Sequence, residues 1–179
     1  KRLILSLQRA GIENFYILAQ NISESDKHWV ESDIKKDFRF KSNIQWNSLS
    51  KKILEDELSP IRWPLENEDV LFVESNLVTT SGLIKDFITT ALELRIAGTA
   101  GLVSESGHSD GIYILNTSII IHYLLFETFE KPFAPVTLTG PWFYRQRVKD
   151  LQSAQSAEKK LLNEHKLHYG QAMDIWFNS

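Results

Sequence analysis

The sequence contains no cysteine, so neither a disulfide framework nor a thiolate zinc site can form, and a reducing, cytoplasmic setting is compatible with it. It also lacks an apolar stretch able to span a bilayer. The longest, "IYILNTSIIIHYLLF", is too short and is broken by Asn116, Thr117, Ser118 and His122. Excess positive charge is absent as well: a formal net charge of −3 gives no general attraction to nucleic acid or to an anionic membrane, and leaves only a local basic patch as an option. There is no internal repeat and no low-complexity tract. The sharp Gly-x-Ser-x-Gly turn is missing around Ser104, Ser106 and His108, so hydrolase chemistry is unsupported. Neither a signal peptide nor an initiator methionine opens the chain, which starts at Lys1 inside an apolar periodic pattern and reads as a fragment.

The composition that remains, 42% hydrophobic and 24% charged over 179 residues, fits one globular domain whose core needs no covalent staple. In "KRLILSLQRAGI" the apolar Leu3, Ile4, Leu7 and Ala10 recur at helical spacing, and Gly11 stands where a left-handed cap ends a helix. "NFYILAQN" is a continuous apolar run that suits a strand buried on both faces. "SESDKHWVESDIKKDF" offers Ser23 or Ser25 as an N-cap, with Trp29, Val30, Ile34 and Phe38 expected on one stripe. "SNIQWN" reads as a short strand, and "SLSKKILEDEL" as a helix ended by Ser59 and Pro60.

"DVLFVESNLVTTSGLIKDF" then reads as strand, polar turn and helix, the helix running from about Ser81 to Glu93. "TAGLVSES" and "DGIYILN" are expected to pair around "ESGHSD". "TSIIIHYLLFETFE" has the pattern of an amphipathic helix stopped before Pro132, and "APVTLTGPWFYRQRV" that of an extended segment. In "KDLQSAQSAEKKLLNEHKL" the residues Leu151, Ala154, Ala157, Leu161 and Leu162 mark a surface helix. Strands alternating with helices, most of the strands apolar throughout, predict a mainly parallel sheet covered on both faces. A ligand site in such a sheet lies beyond the C-terminal strand ends, here "AQNISES", "ESNLVTT" and "WFYRQR".

Several polar residues at these edges have two readings. Asn76 is either a turn residue satisfying its own backbone or a substrate contact. Glu74 would point away from Ser75 and is a weak metal ligand, while Asp69 stands at the wrong end of its strand. Arg145 and Arg147, beside Trp142 and Tyr144, are either a solvated face or a phosphate site, because guanidinium forks match phosphate oxygens. His165 and His168, three apart, lack an accompanying carboxylate motif and read as surface histidines. His122 reads as a satisfied core or boundary residue, and His28 and His108 carry no spacing signal.

The opening segment "KRLILSLQRAGIENFYILAQN" resembles the first helix and second strand of sugar-phosphate nucleotidyltransferases and related cytidylyltransferases. "VLFVESNLVTTSGLIKDF" is similar to that family's strand carrying a metal-binding aspartate, "DGIYILNTSIIIHYLL" to its next strand and helix, and "WFYRQRVKDLQSAQSAEKKLL" to its closing block. The resemblance implies a three-layer, Rossmann-like α/β domain over residues 1–165, without the family's first strand and glycine-rich loop. Residues 166–179, through Gly170, Asp174 and Asn178, resemble a junction to a membrane-embedded CDP-alcohol phosphatidyltransferase.

That family implies transfer of a cytidylyl or related group from a nucleoside triphosphate such as CTP to a phosphorylated alcohol. The cofactor would be Mg²⁺, the localisation cytoplasmic, and the membrane would be reached only through the following domain. No nucleic-acid partner is implied. The resemblance puts Asn76 at the metal-binding aspartate and Asp110 near the sugar-phosphate side, though a turn residue is the favoured reading of Asp110. The second expected acid falls near Tyr144 to Gln146, where Arg145 and Arg147 stand and no carboxylate does. A neutral amide can ligate Mg²⁺ but neutralises none of its charge. The alternative is therefore a catalytically silent domain that binds a nucleotide or serves assembly.

Overall fold

The computed structural model describes residues 1–19, 22–48, 69–94, 99–116, 119–120, 134–139 and 144–163. Helix α1 (Arg2–Arg9) ends as its sequence requires. Gly11 takes φ 102°, its N–H reaches the Gln8 carbonyl at 3.0 Å, and the Ile12 N–H reaches that of Leu7 at 3.2 Å. This is the paired bonding of a Schellman cap. Strand β1 (Asn14–Ala19) follows and pairs in parallel with β2 (Asn43–Ser48), Phe15 opposite Ile44. Of β1 only Phe15 is fully buried, so the expected burial on both faces is not met. The cause is its place in a two-stranded sheet, with no ladder to a further strand among the described residues.

Helix α2 (Glu24–Lys35) starts at Ser23, whose Oγ accepts the Asp26 N–H at 3.1 Å. The expected apolar stripe breaks up: Ile34 is buried and Val30 half-buried, but Trp29 is 71% and Phe38 89% exposed. Phe38 lies beyond the last helical turn, where Asp37 redirects the chain by accepting the Arg39 N–H at 3.1 Å and its Nε at 2.8 Å. Gln8 of α1 fastens the segment that follows. Its Nε2 donates to the Arg39 carbonyl at 2.7 Å, and its Oε1 accepts from the Lys41 N–H at 2.7 Å and the Ser42 hydroxyl at 2.9 Å.

The main sheet has the order β3 (Asp69–Val73), β6 (Ser109–Asn116), β5 (Ala100–Val103), β7 (Ala134–Thr137). Its class is α/β, as expected, but its ladders are mixed. β6 runs antiparallel to both β3 and β5, and β5 runs parallel to β7. The reason is local. Between β5 and β6 the Ser104 N–H bonds the His108 carbonyl at 2.8 Å and Gly107 takes φ 80°, a turn too short for any crossover. A third ladder joins β4 (Leu77–Thr79) to β8 (Arg145–Arg147), antiparallel.

Helix α3 (Ser81–Leu94) opens on Thr80, whose Oγ1 accepts the Leu83 N–H at 3.2 Å. It places Leu83, Phe87 and Ala91 against Leu102, Ile112, Ile114 and Val136 of the main sheet. The next residues round the helix, Ile84 and Ile88, join Leu7, Phe15, Ile44, Leu71 and Val73 in a second cluster. That cluster binds the two-stranded and four-stranded sheets into one core through their side chains. Burying each such aliphatic or aromatic group contributes about 1.5–3 kcal/mol. On the other side of β6, Tyr113 and Leu115 pack with Ile120, so the sheet is covered on both faces.

Residues 151–163 are helical and set Ala157 and Leu161 on Tyr144 and Val78. Leu151 and Leu162, expected on the same stripe, are exposed. The helix is capped by Asp150, whose Oδ1 accepts the Ser153 N–H at 2.7 Å, while Ser153 Oγ accepts the Asp150 N–H at 3.0 Å. Among the described residues no helix is long and apolar enough to cross a membrane. All but Ser48 of the expected helix over 48–58, most of that beginning at Thr117, the bend at Gly140 and Pro141, His122, His165, His168 and the junction 166–179 lie outside the described residues; Ser48 ends β2 instead.

The hydrogen bonds from the Arg39 side chain hold the Asp37 carboxyl well below the usual carboxylate range, with the Arg39 N–H and the charges of Arg39 and Lys1 adding to the effect. A depressed folded-state pKa contributes stability that is present above the unfolded value of about 3.9 and is lost as pH falls towards the folded one. Asp37→Asn is therefore expected to be the less stable protein at pH 7 and to lose less stability than wild type as pH falls below about 4. Urea unfolding across that range checks this; parallel acid limbs for the two proteins would refute it.

Candidate functional site

Two of the three strand edges singled out by the sequence meet. Residues 74–76 leave β3 in a polar turn, and β4 then pairs with β8, so the "ESN" turn lies beside the segment carrying the arginines. The Asn76 carbonyl accepts the Val148 N–H at 2.8 Å and fixes the two together. The third edge, around Gln20 and Asn21, lies outside the described residues.

A register shift between Gly101 and Val103 brings β6 into play. In the irregular stretch opposite, Gly111 takes φ 77° and its carbonyl accepts the Glu74 N–H at 2.9 Å. Asp110 and Ser109 are thereby delivered to the arginines. Arg145 donates through Nε to Asp110 Oδ2, through a terminal nitrogen to the Leu138 carbonyl at 3.0 Å and through the other to the Val103 carbonyl at 3.4 Å. Its side chain is 15% exposed and that of Asp110 18%. Arg147 grips Glu74 with both terminal nitrogens, at 2.8 and 3.0 Å, and reaches the Ser109 carbonyl at 3.4 Å.

The structure therefore brings Asp110, Arg145 and Arg147 to one edge, with Asn76 exposed in the adjoining turn. For Arg145 the solvated-face reading does not hold, since its side chain is only 15% exposed, whereas Arg147 is 44% exposed; each guanidinium carries a carboxylate partner. Glu74, seen from the sequence as a weak metal ligand, is the partner of Arg147, and a separation of 73 residues hid that pairing. Beside it, the Ser109 and Tyr113 hydroxyls bond to each other, and burial pushes the Tyr113 phenol up from its ordinary value. Where the resemblance puts a second metal-binding acid, Tyr144 donates its hydroxyl proton to Gln146 Oε1 at 2.7 Å, and Lys160 Nζ lies 5.7 Å from the Tyr144 ring centre.

These donors do not fit a Mg²⁺ held by the protein. Glu74 and Asp110 are both committed to guanidinium groups, and Asn76 offers a single neutral oxygen. Among the described residues no three His, Asp or Glu side chains cluster as a metal site. What the edge does offer is a half-exposed guanidinium and an exposed amide, groups suited to contacting phosphate oxygens.

The fold is α/β of the nucleotidyltransferase-like, Rossmann type. The crystal structure of HddC from Yersinia pseudotuberculosis has this fold and superposes with a TM-score of 0.58, covering 89% of this chain and 84% of that one at 12% identity. No family model and no curated protein matches the chain. At that identity the likeness is one of architecture.

Gly111 is the residue this edge can least exchange. A Cβ there would meet Glu74 Cδ at 3.0 Å and Arg147 at 3.2 Å in a left-handed conformation, whereas at Gly107, with φ 80°, it would meet nothing. Gly107→Ala is expected to cost about 1 kcal/mol for the backbone alone. Gly111→Ala should cost about 2 kcal/mol, because the partly exposed ion pair, worth up to about 1 kcal/mol, must shift as well. Equal losses for the two variants in chemical denaturation would contradict the crowding described.

Proposed function

We propose that this chain is a nucleotidyltransferase-like domain that binds a nucleoside triphosphate such as CTP at the edge formed by Asn76, Asp110, Arg145 and Arg147, and is catalytically silent. The observation that carries the reading is the commitment of both carboxylates at that edge, Glu74 and Asp110, to guanidinium groups. Attack on a nucleoside triphosphate is accelerated by cations clamped on the transferring group, and acids held in ion pairs cannot anchor such a cation. Phosphate recognition needs no such anchor. The domain's place would be in a phospholipid-synthesis protein of the CDP-alcohol phosphatidyltransferase type, tethered to a membrane through that second part. The resemblance of Gly170, Asp174 and Asn178 to such a junction supports this.

A second reading, favoured by a fold likeness extending over 89% of the chain, is that the domain transfers the cytidylyl group itself. A phosphate oxygen of a phosphorylated alcohol would then bond to the α-phosphorus of the triphosphate while the bond to the bridging oxygen breaks and pyrophosphate leaves. Mg²⁺ would have to arrive with the triphosphate, Asn76 adding one neutral oxygen.

Calorimetric titration with CTP, with and without Mg²⁺, joined to a pyrophosphate-release assay with glycerol phosphate as acceptor, separates the readings. Binding without turnover, unchanged when Asn76→Asp restores a carboxylate, is the expected result. Pyrophosphate release by wild type would overturn the silent reading, and failure to bind CTP under either condition would overturn both.

A further inference from the structure

The two arginines are not equivalent, and we infer that Arg147 alone takes the phosphate while Glu74 sets its affinity by holding the same guanidinium. The inference deepens the phosphate-binding reading above and rests on it. A guanidinium has five N–H donors in one plane. Arg145 spends three nitrogens on three separate acceptors from β6, the end of β5 and the segment after β7, with its side chain only 15% exposed. No face of it is left for a ligand without untying those strands. It is a structural knot.

Arg147 is arranged differently. Its side chain is 44% exposed, against 15% for Arg145, and Glu74 meets only its two terminal nitrogens, so among the described residues the Nε side of the fork carries no carboxylate. Its contact to the Ser109 carbonyl, at 3.4 Å, is long and costs little to give up. Gly111 leaves the room in which the pair sits, since a Cβ there would lie 3.1 Å from Glu74 Oε2. A terminal phosphate approaching the Nε side would thus share Arg147 with Glu74, and the two anions would repel across a single guanidinium.

Replacing Glu74 by glutamine keeps the shape and removes that repulsion. For unit charges about 5–6 Å apart, the repulsion weakens binding about threefold at the dielectric of water and about a hundredfold at the value effective near a protein surface, so Glu74→Gln is expected to tighten phosphate binding at least about threefold. Arg147→Gln is expected to weaken binding at least tenfold whether residue 74 is Glu or Gln, and Arg147→Lys, which keeps charge without the fork, to fall between.

The measurement is an amide-shift titration of the 179-residue protein and these variants with inorganic pyrophosphate in EDTA, the same spectra reporting whether each variant is folded. A tightened Glu74→Gln with a lost Arg147→Gln supports the inference. Binding of pyrophosphate or CTP that is indifferent to both substitutions overturns it and leaves the phosphate-binding reading standing. If wild type and Glu74→Gln bind neither ligand, that reading fails as well.

Discussion

A single guanidinium organises the far end of this domain. β8 is only three residues long, and its ladder to β4 cannot by itself hold it against the main sheet. Arg145 does so by carrying the chain's charge inward to Asp110 and to the carbonyls of Val103 and Leu138. Those carbonyls lie where β5 and β7 stop, the place at which strand ends run out of ladder partners. The knot is thus a consequence of mixed sheet geometry: strand ends leave acceptors, and an arginine from a distant segment satisfies several together. Everything else at the edge follows from it, since fixing Arg145 also fixes Arg147, two residues on and on the same side of the strand.

Much of the fold was legible because its signals are local. Gly11 ends α1, Ser23 starts α2, and the turn at Gly107 pairs β5 with β6, each governed by residues within a few positions of one another. Strand direction was legible only where a short turn dictates it, so the antiparallel pairing of β3 with β6 went unread: 35 residues separate Val73 from Ser109, and apolar composition does not encode direction. Phe38 misled for another reason. An apolar stripe presumes that the helix continues, and Asp37 ended it by bonding to Arg39 before Phe38 could reach the buried side.

The candidate site was legible by position and hardly at all by partnership. Asn76, Asp110, Arg145 and Arg147 were each marked from strand ends or from a family resemblance, and the fold does bring them to one edge. Which carboxylate each arginine meets depends on a β6 irregularity and a left-handed Gly111, neither of which has a signature beyond one glycine in an apolar run. Glu74 was recognised as a polar residue at a strand end, yet its partner lies 73 residues away. A polar residue's type limits its chemistry, but its commitment is fixed by tertiary contacts that no spacing rule reaches.

The pairing of charges at this edge has a consequence for metal binding. Free carboxylates at adjoining strand ends repel one another and are stable only with a cation between them. Here the segment that closes the edge brings guanidinium groups, so the same repulsion is relieved by ion pairs within the chain, with Arg145 and Arg147 standing beside Asp110 and Glu74. Such an edge is neutral and stable without a metal. Its positive charge is fixed on the chain, which under the proposed reading would recognise a phosphate without a mobile cation. Because Arg147 remains half exposed while Arg145 is nearly covered, structural and ligand-facing duties fall on different residues. A phosphate bound at Arg147, as proposed, would come and go without disturbing the ties that hold β8 to the sheet.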